Sequence, residues 1–459
     1  MDDAKNFERY MDYLAEGLSH ADRHEGLKGY CTGLMLPLAR KSVEPMAARI
    51  DPLNLSARHQ SLHHFVAQST WSDEAVLARV REHVTPLLGR EGGLYWIIDD
   101  TGFAKKGKHS VGVARQYCGQ LGKQDTCQVA VSLSLASPRG SVPIAWQLYL
   151  PQEWASDSSR RAKARVPEHV GFQTKPQIAL AQIRSAIASG VPPGIVLADA
   201  AYGDETAFRE ELTRMGLLYA VGVRPGTTVW APGVEPLAAK PCSGHGRRST
   251  SLRRAPGHEP CTIKALAMSV PPEQYQSVNW REGTNCALSS RFARVRVRAA
   301  HRDYGLSEQR EQEWLLIEWP EGALEPLKYF VSTAPPEASL EELVYVTKMR
   351  WRIERDYQEL KQEFGLGHYE GRGWVGFHHH ASLSIAAYGY LMAQRLRSNR
   401  KVKKNSAPRE VPAVPEDYIP RGSPARAAPR ARFDHDATHS VGLLPDASPR
   451  RVSMLRARK

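Results

Sequence analysis

The first 90 residues repeat apolar positions at intervals of three and four, which is the period of an amphipathic helix. Four segments carry this pattern: FERYMDYLAEGL, LMLPLARKSVEPMAARI, ARHQSLHHFVAQS and DEAVLARVREHVTPLL. Ser72 or Asp73 is placed to cap the last of them. The pattern predicts a helical N-terminal domain over residues 1–90. On residues alone, it is either a DNA-docking module or an ordinary helical subdomain.

After Gly92 the pattern changes to short apolar runs separated by turn-rich segments, as in β-strands. The runs are LYWIIDD, HSVGVAR, CQVAVSLSLA and SVPIAWQLYL. A helical segment, KPQIALAQIRSAIASG, ends at Gly190. A short apolar strand, GIVLADAAYG, then ends at Asp199. The succession predicts a mixed α/β sheet that begins with an antiparallel meander.

Residues 225–336 are irregular, with a basic loop, GHGRRSTSLRRAPGH, and three strand-like runs, FARVRVRAA, EWLLIEW and KYFVSTA. Because a compact domain rarely contains so long a structureless loop, we interpret this stretch as an inserted β-rich subdomain. A second helical stretch, ASLSIAAYGYLMAQRLRSN, closes the folded part. Residues 401–459 are rich in Pro, Ala and Arg and are predicted to form a disordered basic tail.

Between the inserted subdomain and the helical stretch that closes the folded part, a long helix is predicted from Ser339 to Phe364, with Gly365 just past its end. Its apolar residues repeat at three and four and form one buried face: Val346, Met349, Ile353, Tyr357, Leu360 and Phe364. A second stripe, rotated by about 100°, holds Thr347, Arg350, Glu354, Gln358 and Lys361. Taken alone, this stripe favours an ordinary ion pair between Arg350 and Glu354 on a solvated face.

Charge and length narrow the classes of function. The 459 residues carry a formal net charge of +13, which favours a polyanionic partner, with nucleic acid as the leading candidate. The length is enough for two or three folded units. Six cysteines are scattered without a CxxC pair, and neither a secretion signal nor a membrane-spanning run is evident. We therefore expect a reduced, cytoplasmic protein associated with the nucleoid.

Two aspartates end predicted strands. Asp100 closes WIIDD and precedes Thr101, and Asp199 closes the strand within GIVLADAAYG. Carboxylates at strand ends lie where α/β sheets generally bind ligands. For either aspartate alone, however, a turn or helix-cap role is the simpler interpretation.

Taken together, these segments resemble the bacterial insertion-sequence transposases of the DDE class, in the branch with a Tyr-x2-Arg-x3-Glu-x6-Lys signature. Arg350, Glu354 and Lys361 stand at the required spacing, and Thr347 replaces the signature Tyr. DDT at residues 99–101, DAAYG from Asp199, WREGT at residues 280–284, and the YEGR and FHHH segments add to the likeness. It extends from about residue 31 to about residue 397.

The resemblance implies a ribonuclease-H-like fold with a mixed five-stranded sheet and a β-rich insertion. The implied domains are a helical N-terminal domain (1–90), a catalytic domain (91–224 and 337–400), the insertion (225–336) and the tail (401–459). The implied catalytic acids are Asp100, Asp199 and Glu354, with Asp99 as the alternative first acid. They would bind two Mg²⁺ or Mn²⁺ ions, because carboxylate oxygens suit these hard cations.

The implied function is that of a DNA transposase, which binds terminal inverted repeats, cleaves both ends and joins them to target DNA. Such a protein is expected to work as a homodimer assembled on DNA. Expected contacts to DNA come from Arg350, Lys361, Lys105, Lys106 and, as a base-stacking residue, Trp280. Packing of the Trp280 indole inside the insertion is an equal alternative.

Two other functions remain open: a metal-dependent DNA nuclease without strand transfer, and a domesticated DNA-binding protein without catalysis. Three consecutive histidines, His378, His379 and His380, would point in different directions on a helix. We therefore expect them to pack or to contact phosphate, and we assign no metal to them.

Overall fold

The computed structural model describes residues 2–89, 93–240, 250–282 and 287–398. The predicted tail at 401–459 lies outside these ranges, as do the first residues of the basic loop that begins at position 244. Among the described helices, none has the combination of length and apolar character that crossing a membrane requires.

The described N-terminal region contains α1 (Asp2–Ala15), α2 (Asp22–Met35), α3 (Val43–Ile50), α4 (Leu55–Ala67) and α5 (Asp73–Leu88). The predicted Ser72 cap is confirmed, because its hydroxyl accepts a hydrogen bond from the Ala75 amide at 3.2 Å. The prediction of one helix through residues 34–50 is wrong. Leu36 precedes Pro37 and is extended, as the proline ring requires, so α2 ends before it.

The next elements are β1 (Tyr95–Ala104), β2 (Ala114–Cys118), β3 (Lys123–Ser137), β4 (Gly140–Leu148), α6 (Gln152–Ala155), α7 (Ser158–Ala164), α8 (Lys175–Ala188), β5 (Ile195–Ala198), α9 (Ala200–Gly203), α10 (Thr206–Arg214) and β6 (Tyr219–Val223). Strand β3 pairs antiparallel with β1 on one side and with β2 and β4 on the other. Strands β1, β5 and β6 are parallel. The predicted mixed sheet with an antiparallel start is therefore confirmed.

The chain then forms β7 (Thr228–Trp230), β8 (Cys261–Thr262), α11 (Ile263–Ser269), β9 (Gln276–Glu282), β10 (Ala287–Ala299), β11 (Gln312–Trp319) and β12 (Lys328–Ser332). These strands continue the same sheet, since β6 pairs with β12 and the order proceeds through β11 and β10 to β7 and β8. Strand β9 pairs with β10 off this path. The sheet thus has one half that contains the parallel strands β1, β5 and β6, and a second half that is antiparallel.

The last described elements are α12 (Leu340–Lys348), α13 (Trp351–Gln362) and α14 (Trp374–Ser398). The prediction of one helix from Ser339 to Phe364 is therefore wrong. The amides of Arg352 and Ile353 bond to carbonyls three residues earlier, at Met349 and Arg350. These shorter bonds tighten one turn and separate α12 from α13.

Helix α14 lies at the centre of the molecule. Nearly all of its residues from Trp374 to Ala393 are buried, against β4 on one side and α5, α2 and α4 on others. A helix that is buried on all sides must be apolar around its circumference or must satisfy its polar groups internally. Through α14, the N-terminal helices and the sheet share one hydrophobic core.

Candidate active site

Asp99 and Asp100 lie within β1 and not at its end, because the strand continues to Ala104 in pairing with β3. The expectation that Asp100 ends the strand is therefore wrong. The parallel pairing of β1 with β5, however, stops at Ile97 and Leu197. Asp99 and Asp100 thus come just after the part of β1 that pairs with β5, and Asp199 comes directly after the end of β5.

The two neighbouring acids project from opposite faces of the sheet, because side chains alternate along a strand. Asp99 is paired with Ser132, whose hydroxyl lies 2.8 Å from the Tyr357 hydroxyl on α13. The face that carries Asp99 is therefore the face that α13 covers. Asp100 points the other way and accepts a hydrogen bond from Lys175, in the first turn of α8, at 2.7 Å.

Asp99 is largely buried and bonds to Arg350, whose Nη1 lies 2.8 Å from its Oδ2. Its other oxygen accepts the amide of Asp100 at 2.8 Å. Burial raises the pKa of Asp99 to about 7, although the Arg350 guanidinium opposes the rise. The negative charges of Asp199 and Asp100 raise this pKa further.

Asp199 is the N-cap of α9, where its Oδ1 accepts the Ala201 amide at 2.9 Å. This bond fixes its side chain at the carboxyl end of β5. Gly222 on β6 lets the backbone after Asp199 come close, since a Cβ there would lie 2.8 Å from the Ala200 nitrogen. Asp199 can therefore occupy its position only because residue 222 has no side chain.

Glu354 reaches the same place from α13. Its carboxylate is 67% exposed and lies 3.3 Å from Nη2 of Arg350. Arg350 therefore bridges Asp99 and Glu354. Burial alone would lower the pKa of Arg350, but the charges of Asp99, Asp199 and Glu354 together raise it. Three carboxylates from three separate elements thus act on one guanidinium.

Asp100 has other partners. Besides the ammonium of Lys175, its Oδ2 faces the hydroxyl of Tyr202 on α9 at 3.4 Å. Asp100 therefore ties α8 and α9 together on the face away from Glu354. No local pattern singles out Lys175 as a partner of Asp100, because 75 residues separate them in the chain.

The predicted DNA-contacting cations occupy two kinds of position. Lys361 donates to the Gly102 carbonyl at 2.8 Å, and burial lowers its pKa to about 8. Lys105 donates to the Tyr369 carbonyl at 2.9 Å, and burial lowers its pKa as well. Lys106 is exposed. Lys105 and Lys106 come directly after the end of β1, and Lys361 follows Glu354 on α13.

Trp280 lies on β9, away from β1. Its ring packs edge-on against Phe292 at 5.7 Å, and the Lys348 ammonium lies 4.3 Å from its centre. The indole is therefore partly in the core of the antiparallel half and partly exposed. It also lines a groove of about 1100 Å³ together with Asp199, Arg224, Arg281, Arg350 and Glu354. This groove joins the insertion to the acids.

Residues 13–286 match the sequence profile of a family described as DDE superfamily endonuclease. This match covers more than half of the chain. The protein belongs to the DDE endonuclease superfamily. Its resemblance to the DDE-class enzymes of insertion sequences, inferred from its motifs, is thereby confirmed.

A further comparison agrees with this family. Over 202 residues the chain is 33% identical to the probable transposase for insertion sequence element IS701 of Microchaete diplosiphon. The aligned part is 44% of this chain and 49% of the relative. The chain thus spans about half the length of the curated relative that it matches.

DDE endonucleases in general use divalent metal ions, and the donor chemistry of this site fits such ions. Asp99, Asp199 and Glu354 offer carboxylate oxygens, the ligands that Mg²⁺ and Mn²⁺ prefer. They already share one positive charge, on Arg350. Within the described ranges, no three Asp, Glu, His or Cys side chains lie close enough to hold one ion. The site therefore fits a divalent metal ion in the type of its ligands and in the position of all three carboxylates near Arg350.

The three consecutive histidines are buried in α14, which confirms a packing role. His378 receives the Leu148 amide at 3.2 Å, and His380 faces the Tyr30 hydroxyl at 2.9 Å. His379 stacks on Trp71 with the ring centres 3.5 Å apart. The rings join α14 to β4 and to the N-terminal helices, and their burial leaves them out of reach of a phosphate.

Proposed function

We propose that this DDE endonuclease is a transposase that binds the terminal inverted repeats of its element, cleaves them and joins them to target DNA. The observation that carries the proposal is that Arg350 contacts both Asp99 and Glu354, while the charge of Asp199 acts on the same guanidinium. Members of the family share the nuclease chemistry, and the name of the IS701 relative adds the transposase assignment for that protein.

We assign the first catalytic acid to Asp99 in place of Asp100. Asp99 shares its face of the sheet with α13, contacts Arg350 and senses the charge of Asp199. Asp100 faces α8 and is neutralised there by Lys175. Since the catalytic acids of one site must approach the same phosphate, only Asp99 lies on the required side.

In this proposal Asp99, Asp199 and Glu354 would hold two Mg²⁺ or Mn²⁺ ions. Bound ions would supply activation of the attacking oxygen and neutralisation of charge on the leaving oxygen. The contribution of the chain is to place the three carboxylates and to keep Asp99 largely buried. Its pKa of about 7 means that the ionised, ligand-competent form gains population as the pH rises through neutrality.

Arg350 and Lys361 then bind the backbone phosphates of the transposon end. Arg350 has a fork of donors that suits a phosphate, and Glu354 is already within its reach. Lys361 holds its ammonium at the carbonyl of Gly102, on the face of Asp99. Lys105 and Lys106 extend the same contact, and Trp280 stacks on a base from the side of the groove.

The proposed fold of the catalytic domain is ribonuclease-H-like. The order β4, β3, β1, β5, β6, antiparallel and then parallel, supports this assignment. The proposed domain limits remain 1–90, then 91–224 with 337–400 for the catalytic part, and 225–336 for the insertion. We propose further that the active form is a homodimer assembled on the two element ends.

The test uses purified protein, labelled end DNA and Mg²⁺ or Mn²⁺, and scores strand cleavage and strand transfer separately. Asp99→Asn, Asp199→Asn and Glu354→Gln should each abolish cleavage while end binding is retained, because binding rests on phosphate contacts spread over the surface. Asp100→Asn is the matched control and should keep measurable cleavage. Cleavage lost with Asp100→Asn but kept with Asp99→Asn would reverse the assignment.

The same assay separates the alternative functions. Precleaved ends that are never joined to a target would leave a metal-dependent nuclease. Binding without any metal-dependent nicking would leave a DNA-binding protein. Both outcomes would contradict the proposed transposase.

A further inference from the structure

The hairpin formed by β2 and the first residues of β3 extends the sheet beyond the end of β1. Cys127 is the last β3 residue that pairs with β1, and β3 begins four residues earlier, at Lys123. Strand β2 is an edge strand, since its one neighbour in the sheet is β3. An unpaired edge that projects into solvent is available to a partner.

The register of the hairpin shows which of its side chains share the face of Asp99. Asp99 is opposite Ser132 on β3. Thr126 and Gln124 stand six and eight positions before Ser132, so all three side chains project from the same face of β3. Thr126 and Gln124 are opposite Arg115 and Tyr117. Because opposite residues project from one face, Arg115, Tyr117, Gln124 and Thr126 lie on the face that bears Asp99. We call these four residues the hairpin face.

The hairpin face is polar, exposed and short of partners. Arg115, Tyr117 and Gln124 are exposed, and the Tyr117 side chain is 61% accessible. Among the described residues, no side chain forms a hydrogen bond or ion pair with the Arg115 guanidinium or the Tyr117 hydroxyl. A guanidinium and a phenol on a projecting edge are donors that suit phosphate oxygens.

Spacing makes a DNA duplex the partner that fits. Six residues of β3 separate Ser132, opposite Asp99, from Thr126, and at about 3.4 Å each they span about 20 Å. The start of β3 at Lys123 lies about 30 Å away by the same rise. Phosphates of one DNA strand also recur about every 3.4 Å along the axis. The hairpin face, from Thr126 to Gln124, thus lies roughly six to eight base pairs from the acids.

Cations continue between the acids and the hairpin face. Lys361 stands over Phe103 at 5.0 Å, and Lys105 is the first residue after β1, with its amide donating to the Thr126 carbonyl. The one carboxylate of the hairpin, Asp125, pairs with Lys123 at 3.5 Å. The hydrogen bond from the Thr126 amide lowers the pKa of Asp125, and the charges of Lys123 and Arg115 also help to lower it. The positive charges therefore line a path that starts at Arg350 and ends on the hairpin.

We propose that the hairpin face binds the sugar-phosphate backbone of duplex DNA some distance from the cleaved bond. The inference rests on the proposed function and adds a second, sequence-independent contact surface to it. Arg115 forms an ion pair with a phosphate, and Tyr117 donates its hydroxyl to a neighbouring one. The hairpin thereby fixes the direction in which the duplex leaves the acids.

The test is fluorescence anisotropy with the full chain and a 30-base-pair fluorescein-labelled duplex of random sequence, titrated from 50 to 300 mM KCl. Arg115→Ala/Tyr117→Ala should bind roughly tenfold more weakly at 100 mM KCl. Its plot of log K against log salt should be shallower by about one. Arg115→Lys should restore the slope. Arg214→Ala, an exposed arginine on α10, is the control and should match wild type.

The outcomes are separable. A wild type that binds no duplex would overturn both the proposed function and this inference. A wild type that binds duplex and cleaves end DNA, with the hairpin variant indistinguishable from it, would overturn the hairpin inference alone. A variant with unchanged duplex binding but an altered mass in light scattering would instead identify the edge as a contact between two copies of the chain. Equal thermal melting of the variants checks that folding is intact.

Discussion

Replacing Asp99 by Asn removes a carboxyl group whose ionisation is disfavoured by the fold. Burial raises the pKa of Asp99 from 3.8 to about 7, even with Arg350 beside it. At about 1.4 kcal/mol per pH unit, this rise corresponds to a destabilisation of about 4 kcal/mol once the acid is fully ionised. Asn keeps a neutral side chain of the same shape and has no such ionisation.

The direction of the pKa change determines whether the free energy of unfolding rises or falls with pH. Because the folded pKa lies above the unfolded one, the stabilisation by the protonated acid is complete below about pH 4 and is lost as the pH rises through 7. The free energy of unfolding of wild type should thus fall relative to Asp99→Asn by up to about 4 kcal/mol between pH 4 and pH 8. Loss of the Arg350 ion pair in the variant adds an offset, so the trend with pH is decisive.

The measurement is urea unfolding in EDTA at pH 5, 6, 7 and 8 for wild type, Asp99→Asn and Asp100→Asn. Asp100→Asn retains the buried Asp99 carboxyl and should follow the pH trend of wild type. If the difference between Asp99→Asn and wild type stays constant from pH 5 to pH 8, then Asp99 does not occupy the buried position beside Arg350. The assignment of the first acid would then lose its physical basis.

Three further outcomes are expected. Gly222→Ala should destabilise the fold by about 1–3 kcal/mol, because the added methyl group meets the backbone after Asp199. It should also lower cleavage more than Ala201→Ser does, and equal melting temperatures of Gly222→Ala and wild type would contradict the close approach. Mg²⁺ should raise the melting temperature of wild type more at pH 8 than at pH 6, and less in Glu354→Gln; a pH-independent shift would exclude Asp99 as a ligand. Removal of residues 401–459 should weaken DNA binding and preserve cooperative melting, and loss of that transition would show that the tail is structural.

The sequence predicted the elements of the site better than their ends. The apolar run before Asp99 indicated a strand, but it could not show that β3 would continue to pair with β1 as far as Ala104. Pairing partners distant in the chain decide where a strand ends. For the same reason, the spacing of Arg350, Glu354 and Lys361 indicated one helix, whereas local hydrogen bonds at Met349 divide it.

The choice between Asp99 and Asp100 shows what a motif leaves open. Trp96, Ile97 and Ile98 are buried on both faces of β1, so the pattern of burial along the strand does not distinguish the faces. Only the register with Ser132, and the helix packed over it, shows that Asp99 faces Glu354. The partner of Asp100, Lys175, has no marker in the sequence at all.

The sequence by itself determined the helical N-terminal region, the strands, the candidate carboxylates, the basic charge and the family. The elements depend on residue type and on spacing within about 20 positions, where periodicity is informative. The family resemblance also uses the order of short motifs along the whole chain. Tertiary structure decided that Asp99, and not Asp100, lies on the face covered by α13, that Arg350 contacts both Asp99 and Glu354, and that the hairpin face lies on the same side of the sheet as Asp99. These facts depend on which face of a strand meets which helix, and long-range contacts such as that between Asp99 and Arg350, 251 positions apart, determine this.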